Sequence, residues 1–266
     1  MYNPMMKNPL YIINPSFWPL LGSLSALGAM AALLGVMWKT SNNIIFVLFA
    51  VVAMMMTFYM WGKDLQRESS MSGEMLSTIS KSLGFSFILF IVSEIMFFVS
   101  FFWAYFHFSL CPDSEIGNNW PPMGVMPIPF FETPLLNTII LLMSGISITW
   151  AHHSFFAVKK SSSVLYLTAI TVILGLYFTY LQVEEYFQSP FSINDSCFGS
   201  VFFVATGFHG FHIIIGSLFL LSVTPRIMIG LISMLDMLHF ELAAWYWHFV
   251  DVVWLFLYLC LYWWGD

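Results

Sequence analysis

The chain has 266 residues, 59% of them hydrophobic and 8% charged. A soluble globular domain carries roughly 25% charged residues, so an ordinary soluble protein is excluded. Fourteen acids against eight Lys and Arg leave a net charge of −6, and no nucleic-acid partner is expected from that balance.

A helix crosses the hydrocarbon core with about 20 mostly apolar residues, and seven runs of the chain meet that need. The first, Phe17 to Met37, is charge-free and predicts a span over 17–37. The second, Ile44 to Trp61, ends in an interfacial aromatic before Lys63 and Asp64 and predicts 44–66. The third, Leu83 to Leu110, holds Glu94 as its only acid and predicts 79–110. The fourth, Pro134 to Val158, carries His152 and His153 as its only titratable groups and predicts 134–158. The fifth, Val164 to Val183, is uncharged and predicts 163–187. The sixth, Cys197 to Val223, carries His209 and His212 and predicts 196–225. The seventh, Leu238 to Trp264, is the most polar, with His239, Glu241, His248 and Asp251, and predicts 236–264.

Only helices and closed barrels satisfy their backbone in lipid, and these runs are about two to three times too long for barrel strands. The fold class is therefore an all-α membrane protein of seven transmembrane helices, read as a single polytopic membrane domain over 1–266. The longest connection, Cys111 to Thr133, contains Trp120-Pro121-Pro122, Pro127 and Pro129 and reads as an ordered, turn-rich loop. The residues before the first run include one Lys and no Arg, which fits neither a signal peptide nor an Arg-rich transit peptide.

Seven spans place the termini on opposite sides. Lys7, Lys63, Arg67, Lys81, Lys159, Lys160 and Arg226 fall on the N-terminal side and only Lys39 on the other, so the N-terminus is expected on the cytoplasmic side or its organellar equivalent. Asp113, Glu115, Glu132, Glu184, Glu185, Asp195 and Asp266 gather on the opposite face, which suits a basic partner or simple solvation. Cys111, Cys197 and Cys260 lie near that face, an odd count without metal-ligand spacing that predicts free thiols.

Chemistry concentrates at a few polar positions. At about 100° per residue, Glu241, His248 and Asp251 form one stripe on the last helix, either a proton relay or groups that satisfy each other as bundle glue. His209 and His212 stand three apart, a spacing that could present two imidazoles to one metal or haem, but no Cys, Asp or Glu lies a turn away along the sequence. His152 and His153 point about 100° apart, so hydrogen bonding in the core or at an interface fits all four histidines better than a metal. Gly22 with Ala26, Gly28 with Ala32 and Ala31 with Gly35 mark the first helix for close packing. Trp61, Lys63, Arg67 and Arg226 stand at headgroup level, where cations attract lipid phosphates.

Several stretches together carry a resemblance: SEIMFFVSFFWAYFH, WPPMGVMPI, PLLNTIILLMSGISITWAHHS, LGLYFTYLQVEEY, SCFGSVFFVATGFHGFHIIIGS and AAWYWHFVDVVWLFLYLCLYWWG. They are similar to cytochrome c oxidase subunit III in its mitochondrial form, over nearly the whole chain and in the family's order. The resemblance implies a non-catalytic subunit of a proton-pumping terminal oxidase, one that carries no redox centre, with haem a and copper in partner subunits. It implies that helices 1 and 2 are separated from helices 3–7 by a V-shaped cleft filled with phospholipid. Subunit I would be the main contact, other oxidase subunits and a respiratory supercomplex further partners, and the mitochondrial inner membrane the site, with the N-terminus in the matrix and the C-terminus in the intermembrane space. The roles it implies are stabilising subunit I, holding structural phospholipids and supporting proton uptake. Trp61-Gly62-Lys63-Asp64, Gly73-Glu74-Met75-Leu76, Asp236-Met237 and His239 depart from the family's usual residues on the matrix face. A stand-alone proton-coupled transporter is the alternative, because Glu94, Glu241, His248 and Asp251 offer the right chemistry.

Glu94 sits eleven residues into its run, about 16 Å of helix rise and near the bilayer middle. Its own helix face is apolar, so the carboxyl is expected to keep its proton and to donate a hydrogen bond to a neighbouring helix, a lipid carbonyl or a trapped water. The resemblance associates a buried glutamate at this position with proton handling; a neutral structural acid explains the residues equally well.

Overall fold

The computed structural model describes residues 15–39, 44–71, 77–114, 117–157, 161–228 and 234–265. These contain seven long helices: α1 Trp18–Met37, α2 Ile44–Met71, α3 Ser77–Leu110, α4 Thr133–Ala157, α5 Ser161–Gln188, α6 Cys197–Met228 and α7 Met234–Leu257. The last continues as a π-helix over Tyr258–Trp263. All seven are long and apolar enough to cross a membrane, and no strand occurs among the described residues.

Local chemistry fixes several ends. Pro19 lies in the first turn of α1, where its missing N–H has no intrahelical partner to lose. Ser196 caps α6, its Oγ accepting the Gly199 N–H at 3.2 Å. Pro225 sits inside α6 and cannot donate to the carbonyl one turn back, that of Leu221. The Thr224 hydroxyl donates to that oxygen at 2.9 Å, so the freed carbonyl keeps a donor inside the membrane segment.

The chain forms two compact units, residues 1–82 and 83–266. In the first, α1 packs on α2, and the Trp18 indole donates to Asp64 Oδ2 at 2.8 Å. No α1 residue is buried. Gly22, Ala32 and Gly35 are partly covered, whereas Ala26, Gly28 and Ala31 are exposed. The covered row follows the 3.6-residue period through Trp18, Gly22, Ser25, Ala29 and Ala32, which turns the other small residues outward.

The second unit holds the core. Helices α4 and α7 run antiparallel and are tied by two indoles: Trp254 Nε1 donates to Thr138 Oγ1 at 3.0 Å and Trp247 Nε1 to Ser144 Oγ at 2.9 Å. Trp247 fits because Gly175 of α5 and Gly216 of α6 leave it room; a Cβ on Gly175 would stand 2.5 Å from its Cη2. Ser147 of α4 and Thr171 of α5 share a hydrogen bond at 2.7 Å, and Phe178, Phe198, Phe202 and Tyr262 fill the remaining centre. Helix α3 turns Phe98, Tyr105 and Ser109 inward along one face.

Candidate functional site

The carboxyl of Glu94 finds its partner on another helix. His212 of α6 brings Nε2 to 3.0 Å from Glu94 Oε2, and the side chains are 8% and 24% exposed respectively. The imidazole is fixed from its other side, with Nδ1 at 2.6 Å from the Phe208 carbonyl one turn earlier on α6. A carbonyl only accepts, so Nδ1 carries a hydrogen. The contact between Nε2 and Oε2 therefore needs one proton: on the carboxyl, facing a neutral imidazole, or on the imidazole, facing a carboxylate. Without it, two acceptors would meet at 3.0 Å. Phe98 lies edge-on to the His212 ring at 5.1 Å and Tyr246 stacks on it at 6.3 Å, an aromatic collar that keeps the pair dry on the core side.

His209, three residues earlier, does not join the pair. Its Nε2 donates to the Val250 carbonyl at 3.2 Å, and its ring packs at 5.1 Å from Trp254 and 5.5 Å from Phe178. The i,i+3 spacing thus sends the two imidazoles to different neighbours. His152 lies parallel to Phe240 at 6.3 Å, while His153 is exposed. Among the described residues no three His, Cys, Asp or Glu side chains converge as a metal site would require.

The stripe on α7 divides. His248 Nε2 lies 3.3 Å from Thr149 Oγ1 of α4, and Nδ1 lies 4.0 Å from Asp251 Oδ2. Glu241 stands seven residues from His248, about 10 Å along the helix, so the three do not form one hydrogen-bonded unit. Asp251 reaches α4 because position 145 is glycine; a Cβ there would stand 2.7 Å from Asp251 Oδ2.

Toward the C-terminal end of α2, Lys63 is exposed and Trp61 half-buried, and Arg67 Nη1 lies 3.8 Å from Asp64 Oδ1, one turn away. Asp64 thus serves both the Trp18 indole and Arg67. The Arg226 and Asp236 side chains, and Lys7, Gly73, Glu74, Met75, Leu76, Lys159 and Lys160, lie outside the described residues.

One acid departs from its expected place. Glu185 does not belong to the solvated acidic face: it is 3% exposed. Its Oε1 accepts from Tyr262 at 2.7 Å and from Gln182 Nε2 at 3.3 Å, and its Oε2 accepts from Thr133 at 3.0 Å. Glu184, its neighbour, stays exposed, because one residue is about 100° of helix. The signal lay in the spacing: Gln182, Glu185 and Tyr186 stand at i, i+3 and i+4, on one face of α5. Outside the spans, Asp195 accepts the Ser192 N–H at 2.6 Å, and this backbone hydrogen bond, helped by the Ser192 hydroxyl, holds its carboxyl below the usual range.

Comparison with known proteins places these residues in context. A family model described as cytochrome c oxidase subunit III matches residues 8–266. Cytochrome c oxidase subunit 3 of Aepyceros melampus is 49% identical over 256 residues, 96% of this chain and 97% of that protein. The corresponding protein of Heterololigo bleekeri is 49% identical over 262 residues, covering 98% and 100%, and that of Myxine glutinosa 50% over 258, covering 96% and 97%.

Proposed function

The chain belongs to the cytochrome c oxidase subunit III family, and from that premise we propose that it serves its complex as a stabiliser of the catalytic core and as a holder of structural lipid. It is a multi-pass membrane subunit of an oxidoreductase complex, and the transporter alternative is set aside because the similarity runs along 96% or more of the chain to oxidase subunits. In this reading haem a and copper reside in partner subunits, subunit I is the main contact, and the chain holds structural phospholipids. The membrane is the mitochondrial inner membrane, with the basic N-terminal side in the matrix. A respiratory supercomplex is the wider assembly to which the complex would belong.

The observation that carries this reading is the end-to-end family match. The Glu94–His212 pair adds a chemical part to it. The hydrogen bond across its 3.0 Å contact joins α3 to α6, and in this reading the pair serves as a structural junction between the two helices.

The test is whether the detergent-solubilised protein travels with a haem a and copper chromophore while the isolated, metal-free chain shows no visible band. Stoichiometric haem on the isolated chain, or purification free of any chromophoric partner, would overturn the proposal.

A further inference from the structure

Helices α4 and α5 meet along two facing rows. Thr133, Asn137 and Ser147 follow one face of α4 at helical spacing, and Thr171, Gln182 and Glu185 follow one face of α5. Hydrogen bonds close the seam at both ends: Thr133 Oγ1 donates to Glu185 Oε2 at 3.0 Å, and Ser147 Oγ lies 2.7 Å from Thr171 Oγ1. These contacts are fourteen residues apart on either helix (147 − 133 and 185 − 171), so the antiparallel register holds between them. Asn137, one turn in from Thr133, therefore comes opposite Gln182, one turn in from Glu185.

Both amides are buried, Asn137 at 0% exposure and Gln182 at 4%. Nδ2 and Oδ1 of Asn137 and Oε1 of Gln182 have no hydrogen-bond partner among the described residues, whereas Gln182 Nε2 donates to Glu185 Oε1 at 3.3 Å. Turning either amide over does not remove the problem. Asn137 keeps one orphan donor group and one orphan acceptor, and Gln182 exchanges an orphan acceptor for an orphan donor. Buried polar groups are nearly always paired, and a bare one inside a membrane segment is costly.

Burial selects what can pair with these atoms. Neither a lipid chain nor a helix of another subunit reaches side chains covered this completely by their own bundle. A cation would serve the oxygens and leave Asn137 Nδ2 bare. Water both donates and accepts, and a buried water takes two to four polar partners. Asn137 lies four residues and Gln182 six from the near ends of their spans (137 − 133 and 188 − 182), about 6–9 Å of rise and so close to the aqueous side. We propose that Asn137 and Gln182 hold buried water in the α4–α5 seam. A first water accepts from Asn137 Nδ2 and donates to Gln182 Oε1, and a second, bonded to the first, donates to Asn137 Oδ1. The Thr133–Glu185 hydrogen bond closes the seam one turn further out, and Phe178 follows one turn further in on α5.

Two measurements on the purified complex test this site. A density map that shows ordered water should place a peak within hydrogen-bond reach of both amides. Direct bonding of Asn137 to Gln182 with no peak between them overturns the proposal, as does a peak ringed by oxygens alone at less than hydrogen-bond length, which marks a cation. X-ray radiolysis generates hydroxyl radicals from bound water, and these oxidise the side chains beside it. Phe178 and Phe202 are equally shielded from bulk solvent, at 0% and 1% exposure, but only Phe178 adjoins the seam. Mass spectrometry should find Phe178 oxidised about tenfold more than Phe202, and Asn137→Leu should bring the two within about twofold of each other. Equal oxidation in the unaltered chain, or an excess at Phe178 that survives Asn137→Leu, overturns the proposal. If the leucine variant fails to assemble, the map and the Phe178 to Phe202 ratio in the unaltered complex decide.

Discussion

The indole of Trp247 occupies space that only a glycine at position 175 leaves open, with Cη2 2.5 Å from where a Cβ would stand. Replacement Gly175→Ala forces the ring or the α5 backbone to move, and overpacking of this kind costs about 1–3 kcal/mol. The variant should lower the thermal midpoint of the complex. Gly210→Ala is the control, because nothing lies within 4 Å of its Cβ position, and it should leave the midpoint unchanged or slightly higher.

The proton in the Glu94–His212 contact makes a second prediction. Glu94→Gln supplies an amide donor to His212 Nε2 and should assemble normally. Glu94→Leu leaves that nitrogen bare and should cost about 1–3 kcal/mol of stability. A hydrophobic carbodiimide, which needs a protonated carboxyl, should label Glu94 selectively. Infrared spectroscopy should show the C=O stretch of a protonated carboxyl that disappears with Glu94→Gln. Absence of both signals would identify the ion-paired form instead.

Glu185 accepts three side-chain donors from three elements, so its removal strands all of them. Glu185→Leu should abolish accumulation of the complex on native gels, since each buried unsatisfied group costs about 1–3 kcal/mol. Tyr262→Phe removes a single donor and should cost only about 1 kcal/mol, readable as a small fall in thermal midpoint.

The turn between α5 and α6 should respond to acid through Asp195. Its carboxyl titrates lower in the folded chain than when unfolded, so its contribution to stability is complete above the ordinary carboxylate range near about pH 4 and is lost as pH falls through the lower folded value. Amide exchange at Ser192, corrected for intrinsic rates, should speed up on that descent. Asp195→Asn should remove the pH dependence.

Lipid retention should depend on the cations at the basic helix ends. Arg67 is 63% exposed and only loosely paired with Asp64, so its charge remains available to a phosphate. Replacing Arg67 and Arg226 together with Ala should lower bound phospholipid per complex, each nearby cation being worth about 1 kcal/mol toward an anionic headgroup. Unchanged lipid content after extraction would remove these residues from the headgroup assignment.

The seven helices were legible because hydrocarbon imposes one strong rule, and charge-free runs of that length have few other uses. The pairings were not. Glu94 looked isolated because helical spacing reports neighbours on one helix, and His212 lies 118 positions away. Glu185 looked solvated because it follows Glu184 near a helix end, and a hydropathy window cannot separate two adjacent acids that point about 100° apart. Glu241 fell into a stripe with His248 because angular position ignores the two turns of rise between them. In each case the sequence carried the residue's chemistry, and the missing quantity was its neighbour across the bundle.

The indole bonds from Trp247 and Trp254 to Ser144 and Thr138 join the fourth helix to the last. In order of synthesis, α4 ends 77 residues before α7 begins (234 − 157 = 77), and until α7 arrives its two hydroxyls have only their own helix's carbonyls to serve. Helices α5 and α6 can meet α4 earlier, around a gap shaped by Gly175 and Gly216 that the Trp247 ring alone fills. Biogenesis thus ends with a closing step: insertion of the final helix converts a loose half-bundle into a packed one. A chain that stops before Trp247 lacks the one ring that fills the gap between Gly175 and Gly216 and leaves the Ser144 hydroxyl without its indole donor.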